Sequence, residues 1–131
     1  MFHDALVSLR AAAEFSPANI PLRLTLAQTL LNEKLLSEAE AEYKGIIEVA
    51  PYSNEAKVGL AKVAHLSGDN ALASRILKDV CKEAETKGEG HLLLCKLLLR
   101  EHEADEAKFQ YQLAVSKDPS LKEPGLDKLF G

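Results

Sequence analysis

Tryptophan is absent from this chain, methionine occurs once, cysteine twice, and aromatic residues make up only 5% of its 131 residues. Two lone cysteines, Cys81 and Cys95, each set in an apolar run, are too few for a disulfide scaffold, and reduced, buried thiols are expected. β-Branched residues and turn clusters are scarce, which argues against a sheet protein. No stretch approaches the ~18 consecutive apolar residues of a membrane span. The start, Met1-Phe2-His3-Asp4, lacks the basic residues and apolar run of a secretory leader. An excess of positive charge is missing too: 16 Lys and Arg face 20 Asp and Glu, a net charge of −4, so the basic stripe that nucleic acid calls for is not there. What is abundant is Ala, Leu, Glu and Lys, a helix-forming mixture. A soluble, cytoplasmic, all-α protein with neither nucleic-acid nor membrane partners is the expectation.

The positive signal is a period. Pro17, Pro51 and Pro119 lie 34 and 68 residues apart and share one register of 34, in which residue 85 is Glu. Each proline follows an apolar-periodic segment, ending in Phe15-Ser16, Val49-Ala50 and Lys117-Asp118. With no N–H to continue a helix, proline is a stop signal there. Ala5, Ala39, Ala73 and Ala107 occupy one column of this register; Leu9, Tyr43, Leu77 and Tyr111 a second; Ala12, Ile46, Val80 and Ala114 a third. Leu26, Leu60 and Leu94 are each followed by a small residue, Ala27, Ala61 and Cys95. Spacings of three and four place these on one helix face, where small residues admit close approach and large ones fill the gap. Breaks at Asn32-Glu33-Lys34, Ser67-Gly68-Asp69-Asn70 and Glu101-His102-Glu103 divide each unit into two helices. The expected helices are 3–15, 20–33, 37–49, 54–67, 70–86, 89–102 and 104–117, with Ser37 and Asp69 or Asn70 as N-caps.

A 34-residue unit with a Leu-small pair, a turn Gly, an Ala, a Tyr, a second small residue and a Pro resembles the tetratricopeptide-repeat family. The resemblance covers residues 1 to about 119. It implies an all-α, right-handed α-α superhelix of about seven helices: a half-repeat at 1–19, full repeats at 20–53, 54–87 and 88–119, and 120–131 as a capping segment or linker. Departures are visible. Arg23, Lys57 and His91 replace the family's first-helix aromatic, the turn glycine survives only as Gly68, and the terminal proline is lost at Glu85.

In such solenoids the first helices line a concave binding face. Projection away from the Leu-small pair puts Leu24, Gln28, Leu31 and Asn32 there, then Val58, Lys62 and His65, then Leu92, Lys96, Leu99 and Arg100. Acidic residues such as Glu38, Glu40, Glu42, Asp79 and Asp105 lie on second helices and turns. A mildly basic, partly apolar groove suits a protein or peptide partner that is acidic with an apolar anchor. The plain alternative is that these Lys and Arg are solvated heads over apolar stems. The clamp with which some family members grip a chaperone's C-terminal carboxylate is not supported, because its sites here carry Leu24, Gln28, Gly59, Glu89 and Leu93. Gly59, which costs a helix about 1 kcal/mol relative to Ala, is either room for a ligand backbone or a close helix contact.

Nothing in the sequence calls for catalysis, and no enzyme, cofactor or metal is expected. His91 and Cys95 stand at i, i+4, a ligand spacing, but they fall in packing columns without a second pair, where structural zinc wants four ligands. No oxyanion hole or third partner accompanies a Cys–His nucleophile. Lys87-Gly88-Glu89-Gly90 has no strand before it and no Lys-Ser/Thr after it, as a phosphate loop needs. Two readings remain. One is an adaptor whose groove binds a segment of another protein. The other is a self-association module, a homodimer through end helices, which the apolar ends Phe2 and Leu129-Phe130 favour; Phe2, Leu6 and Leu9 on the first helix are either a cap or a dimer surface. Pro124-Gly125 interrupts what would be the next first helix, and the helical spacing of Leu126, Leu129 and Phe130 lets the tail fold back over the last repeat.

Overall fold

The computed structural model describes the backbone of residues 2–83 and 85–131, and side chains from residue 5 onward apart from residue 84. These residues form eight α-helices and no strand: α1 (Phe2–Phe15), α2 (Ile20–Asn32), α3 (Leu36–Val49), α4 (Asn54–Leu66), α5 (Asn70–Val80), α6 (Gly88–Arg100), α7 (Ala104–Lys117) and α8 (Pro124–Phe130), with a 3-10 turn at Pro119–Leu121. The chain divides into two compact units, Met1–Ala73 and Ser74–Gly131, with the boundary inside α5.

The three mid-repeat turns are built alike. Lys34, Gly68 and His102, each in the turn-glycine column, adopt positive φ of 64°, 91° and 63°. The next N–H in each case (Leu35, Asp69, Glu103) reaches back to the carbonyl of Leu30, Ala64 or Leu98 at 2.8–2.9 Å, closing the helix end in a Schellman manner. Only glycine adopts this conformation without strain, so Lys34 and His102 hold it because the hydrogen bonds and the following helix require it. Starts are capped by side chains: Asn19 Oδ1 accepts from Leu22 N–H, Ser53 Oγ from Ala56 N–H, and Asp69 Oδ1 from Leu72 N–H. Ser37 is not a cap, because the turn closes on Leu35 and α3 begins at once, leaving Ser37 inside its first turn. The helix expected over 70–86 stops at Val80 although no proline follows. Thr86 folds back, its hydroxyl donating to the Val80 carbonyl at 2.5 Å, and Lys117 Nζ donates to the Thr86 carbonyl at 2.6 Å.

In the N-terminal unit α1 packs on α2, α2 on α3 and α3 on α4, and the first helices α2 and α4 touch. Leu26, Ala27, Leu30, Ala39, Tyr43, Ile46, Ala56 and Val63 make the core, with Leu9, Ala13, Leu24 and Leu60 against it. Leu6 is buried and Leu9 packs against the core, so of the two uses expected of them, a cap or a dimer surface, they are taken up in holding α1 on α2. Phe2, expected with them, has its side chain outside the described residues. A Cβ built on Gly59 would fall within the ring of the buried Tyr43, which resolves the glycine in favour of close helix contact.

In the C-terminal unit Leu77, Val80, Leu94, Cys95, Leu97, Leu98, Ala107, Tyr111 and Ala114 are buried. His91, where the family has an aromatic, is 1% exposed. Gln110 Nε2 donates to Glu106, so Gln110 Oε1 accepts, and His91 Nδ1 donates to it at 2.7 Å. The unprotonated Nε2 is buried without a protein partner among the described residues. Burial lowers the His91 pKa; the hydrogen bond to Gln110 opposes this and Lys117 adds to it.

Gly59→Ala is expected to destabilise the chain by about 1–3 kcal/mol in a denaturant titration, overpacking outweighing the better helix propensity of alanine. Because the folded His91 pKa lies below its unfolded value near 6.5, the unfolded chain takes up the proton first. Stability should then fall as pH drops through about 6.5, by up to about 1.4 kcal/mol per pH unit for the one proton. His91→Gln should flatten that part of the profile, measured as the difference between the two pH–stability curves.

Candidate partner-binding surface

Four register columns of the first helices were expected to face a partner, and the structure treats them differently. The column Leu24, Val58 and Leu92 is half-buried throughout. Each of these side chains rests one edge on the packed interior and leaves the other accessible. The next column, Gln28, Lys62 and Lys96, turns outward: Gln28 and Lys96 are exposed and Lys62 is half-buried. Asn32 and Arg100, at the helix ends, are exposed.

The column Leu31, His65 and Leu99 turns inward. Leu31 is 7% exposed and belongs to the core of the N-terminal unit. This corrects the projection, for a physical reason: Leu31 stands one turn beyond Ala27 and shares its packing stripe. His65 and Leu99 are half-buried in the equivalent place. His65 Nδ1 is 2.7 Å from Asn70 Oδ1, which ties the ring to the start of the following helix.

The N-terminal unit thus brings Leu24, Gln28, Asn32, Val58, Lys62 and His65 onto the adjoining helices α2 and α4, and the C-terminal unit holds Leu92, Lys96, Leu99 and Arg100 on α6. Lys96 has an occupant already. Its ammonium lies 2.9 Å from the Glu123 carboxylate, just ahead of α8. Sequence reasoning missed this pair because Glu123 belongs to a segment whose path the register alone does not give.

Around it the tail is docked. The Tyr111 hydroxyl accepts the Glu123 N–H at 2.9 Å and donates to Asp127 Oδ1 at 2.7 Å. The Phe130 ring lies 5.6 Å from that of Tyr111, tilted by 37°. Burial raises the Tyr111 pKa, and the bond to Asp127 raises it further. Pro124 does not block a helix here, because it sits in the first turn, where its missing N–H is not needed. Leu126 is half-buried, whereas Leu129 is 62% exposed.

Other apolar side chains reach the surface unforeseen. Phe15 is 93% exposed, and Val49, its equivalent one repeat later, is also exposed, as is Tyr52. The column that Phe15 and Val49 share signals these two, and nothing in the register signals Tyr52.

Chemistry is sparse. Among the described residues no group of three or more His, Cys, Asp or Glu could hold a metal ion. His91 is bonded to Gln110, and burial pushes the Cys95 thiol up to about 11 and the Cys81 thiol up to about 12, so neither is a thiolate at neutral pH. Among the described residues no helix is long and apolar enough to cross a membrane.

The family model for the tetratricopeptide repeat matches residues 1–63. No curated protein matches the sequence. Solved structures do. A crystal structure of MamA is 19% identical, covering 92% of this chain and 70% of its own, at a TM-score of 0.75. TTC0263, a thermophilic TPR protein of Thermus thermophilus, is 21% identical over 90% of this chain and 66% of its own, at 0.76. YrrB, described as a TPR protein with an unusual peptide-binding site, is 18% identical over 85% of this chain and 57% of its own, at 0.74. The chain accordingly spans 57–70% of the length of these three proteins. At such identities the likeness carries the fold alone, and the sequence match to the tetratricopeptide repeat extends over residues 1–63, just under half of the chain.

Proposed function

We propose that the chain is a protein-interaction module, an adaptor or scaffold without catalytic function, that binds a peptide or helix of another protein along its first helices. The observation that carries this reading is the pairing, on α2, α4 and α6, of half-exposed apolar side chains (Leu24, Val58, Leu92) with the outward column Gln28, Lys62 and Lys96 and with Arg100. Apolar edges supply affinity through burial, at about 25 cal/mol per Å². The cations select for carboxylates and speed encounter. A partner segment that is acidic and carries an apolar anchor is the complementary chemistry. YrrB, which shares the fold, is described as having an unusual peptide-binding site, and that supports the reading.

Self-association is the second reading, and the exposed apolar side chains Phe15, Tyr52 and Leu129 favour it. Sedimentation over a range of concentrations separates the two: a chain that stays monomeric excludes it.

For the first reading, affinity capture from the source cell with the wild-type chain and with a Lys62→Glu/Arg100→Glu variant is the test. A partner bound through these cations should be retained at least about tenfold less well by the variant. Equal capture by both baits overturns the basic-groove reading.

A further inference from the structure

The tail occupies a position that the repeat has already defined. Asp127 stands two repeats of 34 beyond Gly59, as Tyr111 stands two repeats beyond Tyr43. In the N-terminal unit the Tyr43 ring fills the place left by Gly59 on α4, the first helix of the next repeat. In the C-terminal unit Tyr111 meets α8 at the equivalent residue, Asp127, by a hydrogen bond instead of a buried ring contact. α8 therefore lies where a following first helix would stack on α6 and α7, but it does not pack as one. None of its residues is buried, and no side chain caps its N-terminus. The Leu-small pair of the other first helices is here Lys128-Leu129, so the stripe that buries α2, α4 and α6 is lacking.

What holds α8 is polar and accessible. The ion pairs Lys96–Glu123 and Lys122–Asp127 join side chains that are 36–65% exposed. Solvent-exposed pairs of this kind add little to stability. The face beneath is better anchored than its cover: Tyr111 is 5% exposed, and its ring, its hydroxyl and the Lys96 ammonium make the contacts to the tail.

We propose that the α6–α7 face under α8 is a docking site for a short acidic helix of another protein, closed in this chain by α8 acting as the resident ligand. The inference rests on the reading of the chain as a peptide-binding module and names the class of partner at one part of it. The resident ligand displays the recognition rule. A carboxylate pairs with Lys96, a second carboxylate one turn on accepts from the Tyr111 hydroxyl, and an aromatic ring three residues further lies against the Tyr111 ring. A partner carrying the pattern acidic-x3-acidic-x2-aromatic meets all three. Its apparent affinity is reduced by the fraction of time that α8 stays down.

The test uses the full chain and a labelled peptide with the sequence of residues 119–131 as probe. Glu123→Lys/Asp127→Lys alters only accessible side chains of the tail and removes its hold. Amide exchange over 124–130 should accelerate at least about tenfold, and the probe should bind this variant at least about tenfold more tightly than the wild-type chain. Adding Lys96→Glu should remove that gain. Tyr111→Phe, which keeps the ring and deletes only the hydroxyl, is the second variant and should open the tail in the same direction. Equal probe binding to wild type and variants, no binding to an opened variant, or unchanged protection of 124–130 would each overturn the proposal. So would a wild-type dimer that the tail variant abolishes, because the occupant would then be a second copy. Partner capture that still depends on Lys62 and Arg100 while the probe ignores the opened tail would remove this inference and leave the module reading standing.

Discussion

A tyrosine ring lying where the neighbouring helix has no side chain sets the geometry of the N-terminal unit. Tyr43 on α3 needs the space over Gly59 on α4, and Ala39 and Ala56, without exposed surface, let the same helices close up beside it. Because interiors are packed to crystal-like density, the distance between α3 and α4 follows from these few volumes. The rotation of each first helix follows in turn. Once Leu26, Ala27, Leu30 and Leu31 are turned inward, Gln28 and Asn32 are left outside by the helical period alone. The outward column Gln28, Lys62 and Lys96 is thus a by-product of the packing, whereas Leu24 beside it still packs against the core.

Electrostatics acts on a different scale. The ion pairs Arg10–Glu38, Lys44–Glu40, Lys78–Glu101 and Lys96–Glu123 join side chains that remain in contact with water. Exposed pairs of this kind add little to stability and can be exchanged for a partner's charges at low cost. Among the described residues, buried polarity includes Thr86 on the Val80 carbonyl and the His91–Gln110–Glu106 chain, in which His91 Nε2 is left without a protein partner. The division suits an interaction module: an apolar interior that does not depend on the ligand, and a charged exterior whose contacts can be replaced.

The legible part of the fold was the part that repeats. Columns of Ala, Leu and Tyr revealed the helix pairs. The prolines and turn breaks revealed most boundaries, because each acts through its own backbone chemistry within a few residues. Where a boundary depended on a distant group, the sequence reading failed. α5 stops at Val80 through the Thr86 hydroxyl, and Lys117 from another helix steadies that turn. Leu31 was assigned outward because a projection from one helix cannot tell how wide the buried stripe becomes when α1 and α3 flank it on two sides.

By itself, then, the sequence determined the all-α class, the 34-residue unit, the helix pairs and the columns within them, since these follow from local propensity and periodic burial. The resemblance to the tetratricopeptide repeat followed from the same columns. Only the tertiary structure decided which column reaches solvent, that Gly59 answers to Tyr43, and that Lys96 is met by Glu123 from a tail outside the repeat pattern. Those outcomes depend on side chains far apart in the chain arriving at one place. Local periodicity carries no information about such a meeting.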